Sequence, residues 1–295
     1  MRYDVCNVVA TRGVAVGLML GFALLPSALL ASETVEGRDV TVGQNVPMSA
    51  FLRYDRSADG SVRVEMWEMR AGRPVQSYDI DMTKIMHMIV VSDDLSDFQH
   101  VHPALLVNGH FAIDLQLNRP DQAYHLYFDG RPHGDGRHVF RFDLPALDGV
   151  PLPQRLLHAP GGSARAGPYT VTIDPTVIPV GEVSTIAVRV FKDGRPANDL
   201  HPYLGVMSHG VLIGANDLAY MHAHGMTEEM LGMTSGANDC GDGMMAAMTP
   251  MPPDLNIGSE FEFEILAPSA EKYDFWIQFI GGKTLYTAPL LVTTR

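Results

Sequence analysis

Thiols are almost absent from this chain. It has two cysteines, Cys6 and Cys240, and Cys6 lies ahead of an apolar run that reads as a removable signal, so the mature protein has no intramolecular disulfide. Positive charge is scarce as well: 21 Lys and Arg stand against 34 Asp and Glu, for a formal net charge of −13. That balance favours cations over nucleic acid or anionic lipid as partners, and no nucleic acid is expected. No stretch after the first thirty or so residues has the pattern of a long amphipathic helix. Also missing are Gly-x-Ser-x-Gly, His-Glu-x-x-His, Cys-x-x-Cys and a phosphate-cradling glycine loop. No enzyme class is therefore indicated, and the expectation is a protein that is not an enzyme.

At the N-terminus, Gly13 to Ala31 form an uncharged apolar run behind Arg2 and Arg12, the pattern of a secretory signal peptide. Residues 1–31 are read as that signal, or as an inner-membrane anchor if it stays uncleaved, because Leu29 is bulky for the position two before a cleavage site. The expected location is periplasmic or secreted. Membrane contact is expected only through an uncleaved signal. Loss of Arg2, Arg12 and Asp4 would leave the mature chain one unit more negative.

Short β-type runs separated by Gly, Pro, Asn and Asp follow. Ser61 to Met69 alternates polar and apolar residues as a strand with one wet face does. Further strands are expected at Phe111–Leu117, Ala123–Phe128, His138–Leu144, Tyr169–Ile173, Ser184–Phe191, Glu260–Ile265, Tyr273–Phe279 and Leu285–Thr293. The fold class expected is all-β, two tandem Ig-like β-sandwich domains after the signal. The first spans 34–146, a Pro/Gly-rich linker 147–167 too proline-rich for a strand ladder follows, and the second spans 168–295.

The two halves repeat one another. His87, His100 and His102 recur as His209, His222 and His224, 122 positions on, and Gly72-Arg73-Pro74 recurs as Gly194-Arg195-Pro196 at the same offset. A gapless self-match over about thirty residues is the mark of a duplicated unit. With each turn centred near Asp94 and Leu95, or their counterparts, antiparallel pairing sets His87 opposite His102 and Ile89 opposite His100. All three imidazoles then share one face, with opposed Cβ atoms roughly 4.5–5.5 Å apart. Three neutral imidazoles at that range suit a first-row metal with an open position. The same face carries Ile89, Val91 and Phe98, so structural histidines directed at a core are the competing reading.

The run Tyr124 to Phe128 corresponds in character to Tyr273 to Ile277, at an offset of 149, so the second copy has gained an insertion after its hairpin. This insertion, residues 225–253, carries Met226, Met230, Met233, Met244, Met245, Met248 and Met251 together with Cys240. Thioethers and thiolates are soft ligands that select Cu(I). Methionines also fill gaps in cores, and the spacing of Met226, Met230 and Met233 is that of one face of a short helix.

The run from Lys84 to Pro103, with Tyr127-Phe128-Asp129-Gly130 and Phe140-Arg141-Phe142 after it, resembles a group of exported bacterial Ig-like domains related to the YtkA-like family. These share a pattern close to Met-His-Leu-Ile-Val-Val-Ser-x-Asp-Leu-Ser-x-Phe-x-His-x-His-Pro. The resemblance covers most of 60–144. In the second copy it is weaker, with Asn216-Asp217-Leu218 shifted and Gly225 in place of the proline. It implies an Ig-like sandwich, an association with copper or other heavy metals in the cell envelope, and His87, His100 and His102 as the motif residues.

The functional expectation is an exported copper-binding protein, a chaperone, sequestrant or sensor, holding Cu(I) or Cu(II), with zinc as the other candidate. Its ligands would be the six histidines, as two separate three-histidine sites, with the sulfur residues of the insertion joining the second. The alternative is an envelope protein-interaction module with structural histidines and a protein partner.

Overall fold

The computed structural model describes residues 33–41, 47–147, 155–234 and 249–295, with the side chains of 232–234 left aside. The signal segment, residues 235–248 of the insertion and part of the expected linker lie outside these residues. No helix among them is long and apolar enough to cross a membrane.

The first lobe contains β1 (Glu33–Glu36), β2 (Arg38–Asp39), β3 (Met48–Arg56), β4 (Ser61–Arg70), β5 (Arg73–Pro74), β6 (Met86–Ser92), β7 (Phe98–Val101), β8 (Ala104–Leu105), β9 (Phe111–Gln116), β10 (Tyr124–Gly130) and β11 (His138–Leu144). The second contains β12 (Ser163–Ala166), β13 (Tyr169–Asp174), β14 (Val177–Ile178), β15 (Val183–Lys192), β16 (Arg195–Pro196), β17 (Leu200–His201), β18 (Ser208–Gly214), β19 (Tyr220–Gly225), α1 (Glu228–Thr234), β20 (Glu260–Leu266), β21 (Lys272–Gly281) and β22 (Thr284–Thr294). In the first lobe a sheet ordered β1-β3-β4-β9-β8, with β5 on β4, faces a sheet ordered β2-β11-β10-β6-β7. In the second, β12-β13-β15-β16 with β20 on β15 faces β14-β22-β21-β18-β19 with β17 on β21. Each pair of sheets encloses its own apolar core. The all-β sandwich architecture expected from the sequence is thus the one observed.

One expectation fails. The Pro/Gly-rich stretch does hold a ladder: β12 pairs with β13 from Ser163↔Thr172 to Ala166↔Tyr169. Ser163-Ala164-Arg165-Ala166 contains no proline, and it is framed by Gly162 and Gly167 at φ +64° and +59°, which supply the turns at either end.

The duplication is written into the backbone. Left-handed φ occurs at Ala71 and Gly72 and again at Asp193 and Gly194, both central residues of a two-residue hairpin as a type I′ turn requires. Met82 and Leu204, at the same offset, are also left-handed.

Strands β6 and β18 are buried along their whole length. Side chains alternate sides along a strand, so each of the two must cover two cores. Met88 and Val90 point into the first sandwich, and Leu212 into the second. Ile89, Val91, Val211 and Ile213 point the other way, into a third cluster shared between the lobes with Leu95, Tyr127, Val139, Leu218, Tyr220 and Trp276. The histidine hairpins therefore pack against each other through the outer faces of their sheets.

Approximate two-fold symmetry organises this interface. Phe98 of the first hairpin stacks on Trp276 of β21 at 4.7 Å, and its counterpart Tyr220 stacks on Tyr127 of β10 at 4.8 Å. Stacked aromatic pairs contribute about 0.5–1.5 kcal/mol each beyond the area they bury. Repeat-specific packing is seen at Gly210, which occupies the place of Met88. A Cβ there would lie 2.8 Å from the rings of Phe263 and Phe275. Gly210→Ala is expected to lose about 1–3 kcal/mol by overpacking, read as a fall in the denaturant midpoint at constant slope.

Candidate metal centre

The hairpin register is the one the turn chemistry suggests: Ile89 lies opposite His100, Val211 opposite His222 and His209 opposite His224. His87 shares its face with Ile89 and Val91, and His209 with Val211 and Ile213. Both histidines are thereby directed at the interface between the lobes.

The two triplets meet at one place rather than standing apart. His87, His100, His209 and His222, all buried, converge so that one ring nitrogen of each lies within 4.8 Å of the others. His87 contacts His222 across the interface with ring centroids 4.9 Å apart, and His100 lies 5.3 Å from His222 and 5.6 Å from His209. His102 and His224 flank the quartet, each 4.7–5.0 Å from the two histidines of its own hairpin. Six imidazoles thus meet between the lobes, and the inner four can hold a metal ion.

Side chains of the opposite lobe orient two of them. His100 donates its Nδ1–H to Oε1 of Gln278 at 2.8 Å, and Gln278 is itself tied to Thr287 by its amide nitrogen. His222 donates Nδ1–H to Oδ2 of Asp129 at 3.2 Å. Asp129 lies beside His87 across the β6–β10 ladder, as Gln278 lies beside His209 across β18–β21. These bonds fix the tautomers, leaving the Nε2 lone pair of His100 and of His222 turned inward. There His87 Nδ1 and His209 Nδ1 meet them, each at 3.0 Å. An imidazole whose second nitrogen is held by a carboxylate or carbonyl oxygen is the usual arrangement behind a metal ligand.

Electrostatics favour neutral rings. Burial pushes the His87, His100, His209 and His222 pKa values below the ordinary histidine range, and neighbouring imidazoles push the last three further. Burial and His87 lower His102 to about 3, and burial chiefly lowers His224 to about 4. Burial opposes the charge on Asp129, yet Arg137 and His222 hold its carboxyl well below the usual carboxylate range. Arg137 grips both carboxylate oxygens, and Tyr220 adds a bond to Oδ2 at 2.9 Å. Four buried nitrogens, Nε2 of His87, His102, His209 and His224, have no hydrogen-bond partner among the described residues. A buried polar atom without a partner is costly, and a bound cation is one way to satisfy a lone pair.

The sulfur residues are placed differently. Met226 and Met230 pack with Met82, Val206 and Leu231 in a small apolar cluster beside α1, the short helix that the spacing suggested. Met251 packs against the second sandwich core. Cys240, Met244, Met245 and Met248, and the side chain of Met233, lie outside the described residues. Of the remaining histidines, His133 is exposed and pairs with Asp79, whereas His138 is buried against Phe140, away from the quartet.

Sequence reasoning missed Asp129, Gln278, Arg137 and Tyr203. Tyr203 packs edge-on to His209 at 5.2 Å, with its hydroxyl pKa pushed by burial to about 12. Two of the four were within reach: extending the Tyr124–Phe128 and Tyr273–Ile277 correspondence by one residue sets Asp129 on Gln278.

Residues 164–295 match a domain of unknown function, DUF8832. The match takes in nearly all of the second lobe, including its histidine hairpin. No curated protein matches the chain.

Proposed function

We propose that this is an exported, non-enzymatic copper-binding protein that carries copper in the histidine centre between its two lobes. The observation that carries the reading is the meeting of four buried imidazoles, two of them with their outer nitrogens fixed by Gln278 and Asp129. Imidazole donors suit copper and zinc alike. Copper is favoured by the methionine-rich insertion that follows His222 and His224 directly. It is favoured too because no second carboxylate among the described residues is bonded to the cluster to balance a divalent charge. The apolar N-terminal run and the resemblance to exported Ig-like domains support a place in the cell envelope. A role in holding or passing on the ion, rather than catalysis, fits a carboxylate whose oxygens are already engaged by Arg137, Tyr220 and His222.

The test is titration of the metal-free mature protein with Cu(I) under anaerobic conditions, and separately with Cu(II) and Zn(II), followed by competition with a chromogenic chelator and by thermal unfolding. Tight Cu(I) binding is expected, with about 4 kcal/mol of added stability when free ion reaches a thousand times Kd. If no metal binds more tightly than about micromolar, near −8 kcal/mol, the histidines are structural and the proposal fails.

A further inference from the structure

The quartet does not account for the whole cluster. Two contacts between ring nitrogens at hydrogen-bonding distance, 3.0 Å each, both lie within a hairpin: His87 with His100, and His209 with His222. Two nitrogens each about 2.0–2.1 Å from one ion are about 3.0 Å apart when they subtend roughly 95° at it. In the metal-free protein a proton lies in each of these contacts, on Nδ1 of His87 or of His209; with that proton moved to Nε2 of the same ring, the two facing nitrogens of each hairpin form a chelating pair. Within each hairpin the third imidazole completes a nearly equilateral set, with ring centroids at 5.2, 5.0 and 4.9 Å in the first and 5.2, 4.7 and 4.8 Å in the second. Three rings bound to one ion through nitrogen stand roughly 5 Å apart by the same arithmetic.

A single ion leaves much unexplained. The nitrogens that converge within 4.8 Å belong to four histidines only, so one ion does not gather all six. His102 and His224 would keep buried Nε2 atoms with nothing among the described residues to bind them. The two-fold relation of the hairpins also pairs each histidine of one triplet with a histidine of the other, and an ion held off the axis by one hairpin has a matching place on the other.

We infer that the centre holds two copper ions side by side, one on His87, His100 and His102 and one on His209, His222 and His224. This rests on the copper-binding reading above. Both ions are Cu(I): the donors are neutral, and Asp129, the one carboxylate among the described residues bonded to the cluster, is shared with Arg137. The two sites are not equivalent. His222 is backed by a carboxylate and His100 by a neutral amide, so the second-hairpin ion is held more tightly, by 10- to 100-fold, the usual effect of such a partner.

The experiment is an anaerobic Cu(I) titration of the full mature chain against a competing chelator, in wild type, His102→Ala and His224→Ala, with bound copper counted by elemental analysis. The expected result is that each variant loses one equivalent relative to wild type, His224→Ala from the tighter class and His102→Ala from the weaker. Copper taken up by the methionine-rich insertion appears equally in all three proteins and cancels in the difference. Should an alanine variant fail to fold, the glutamine variants and X-ray absorption of the loaded wild type replace it. That spectrum should show copper scattering from copper at about 3.5–4 Å or less, the spacing of paired-metal sites. One copper per chain, unaffected by either substitution and without a copper neighbour, would overturn the inference while leaving the copper-binding reading standing. No histidine-dependent copper at all would sink both.

Discussion

Asp129→Ala is expected to be the most damaging single substitution in the centre, in two separable ways. The carboxylate is fully buried and carries bonds from Arg137, Tyr220 and His222. Its removal takes away the anion that the largely enclosed Arg137 guanidinium grips, and breaking a buried pair in this way costs about 3–5 kcal/mol. Such a loss is a large share of the 5–15 kcal/mol that typically holds a protein folded. The second effect is on the metal. Without an acceptor at Nδ1, His222 is free to change tautomer and ring angle, and affinity should fall 10- to 100-fold. Asp129→Asn separates the two, since its amide oxygen still accepts from His222 while the charge is gone. Urea unfolding of the metal-free protein measures the first effect, and chelator competition the second. If Asp129→Ala matches wild type in both, Asp129 does not support the centre. Gln278→Glu is the complementary change, expected to raise the affinity of the first-hairpin histidines by placing a charge behind His100.

Acid should take the metal-free protein apart. The six clustered histidines all have pKa values lowered in the folded state, by burial first and, for all but His87, by neighbouring imidazoles as well. Unfolded, they take up protons near pH 6.5; folded, they resist until well below that. The unfolded state therefore binds more protons as pH drops, and stability, complete above about pH 6.5, declines on the acid side. Each ring that stays neutral in the fold contributes a loss of about 1.4 kcal/mol per pH unit over that window. Asp129 acts in the same direction but lower, since its depressed pKa means stability lost as pH falls below about 4. Several rings acting together should bring the denaturant midpoint close to zero by about pH 5. Bound copper should move the acid transition to lower pH, because ligation and protonation compete for the same lone pairs. A midpoint flat from pH 7.5 to 5 in the metal-free protein would show that the rings are solvated rather than sealed between the lobes.

Much of this protein is legible in its amino-acid sequence. Alternation along Ser61–Met69, and the punctuated apolar runs from Phe111 to Leu144 and from Tyr169 to Thr293, mark the strands, because a half-buried strand imposes a period of two on its side chains. The fixed offset between the copies placed the two hairpins and their register, since an antiparallel pair about a short turn allows little slippage when one face is buried.

What the sequence did not determine is which way the histidine face turns. Ile89, Val91, Val211 and Ile213 have the composition of core residues, and composition does not distinguish the inside of a sandwich from an interface between two sandwiches. Only the packing of one hairpin sheet on the other decided it, merging two three-histidine expectations into one centre. The same packing brought Asp129 to His222 and Gln278 to His100, partners 93 and 178 positions apart in the chain. Local periodicity fixes which side chains share a face of a strand. What that face meets depends on contacts between residues so distant in sequence that no local pattern encodes them.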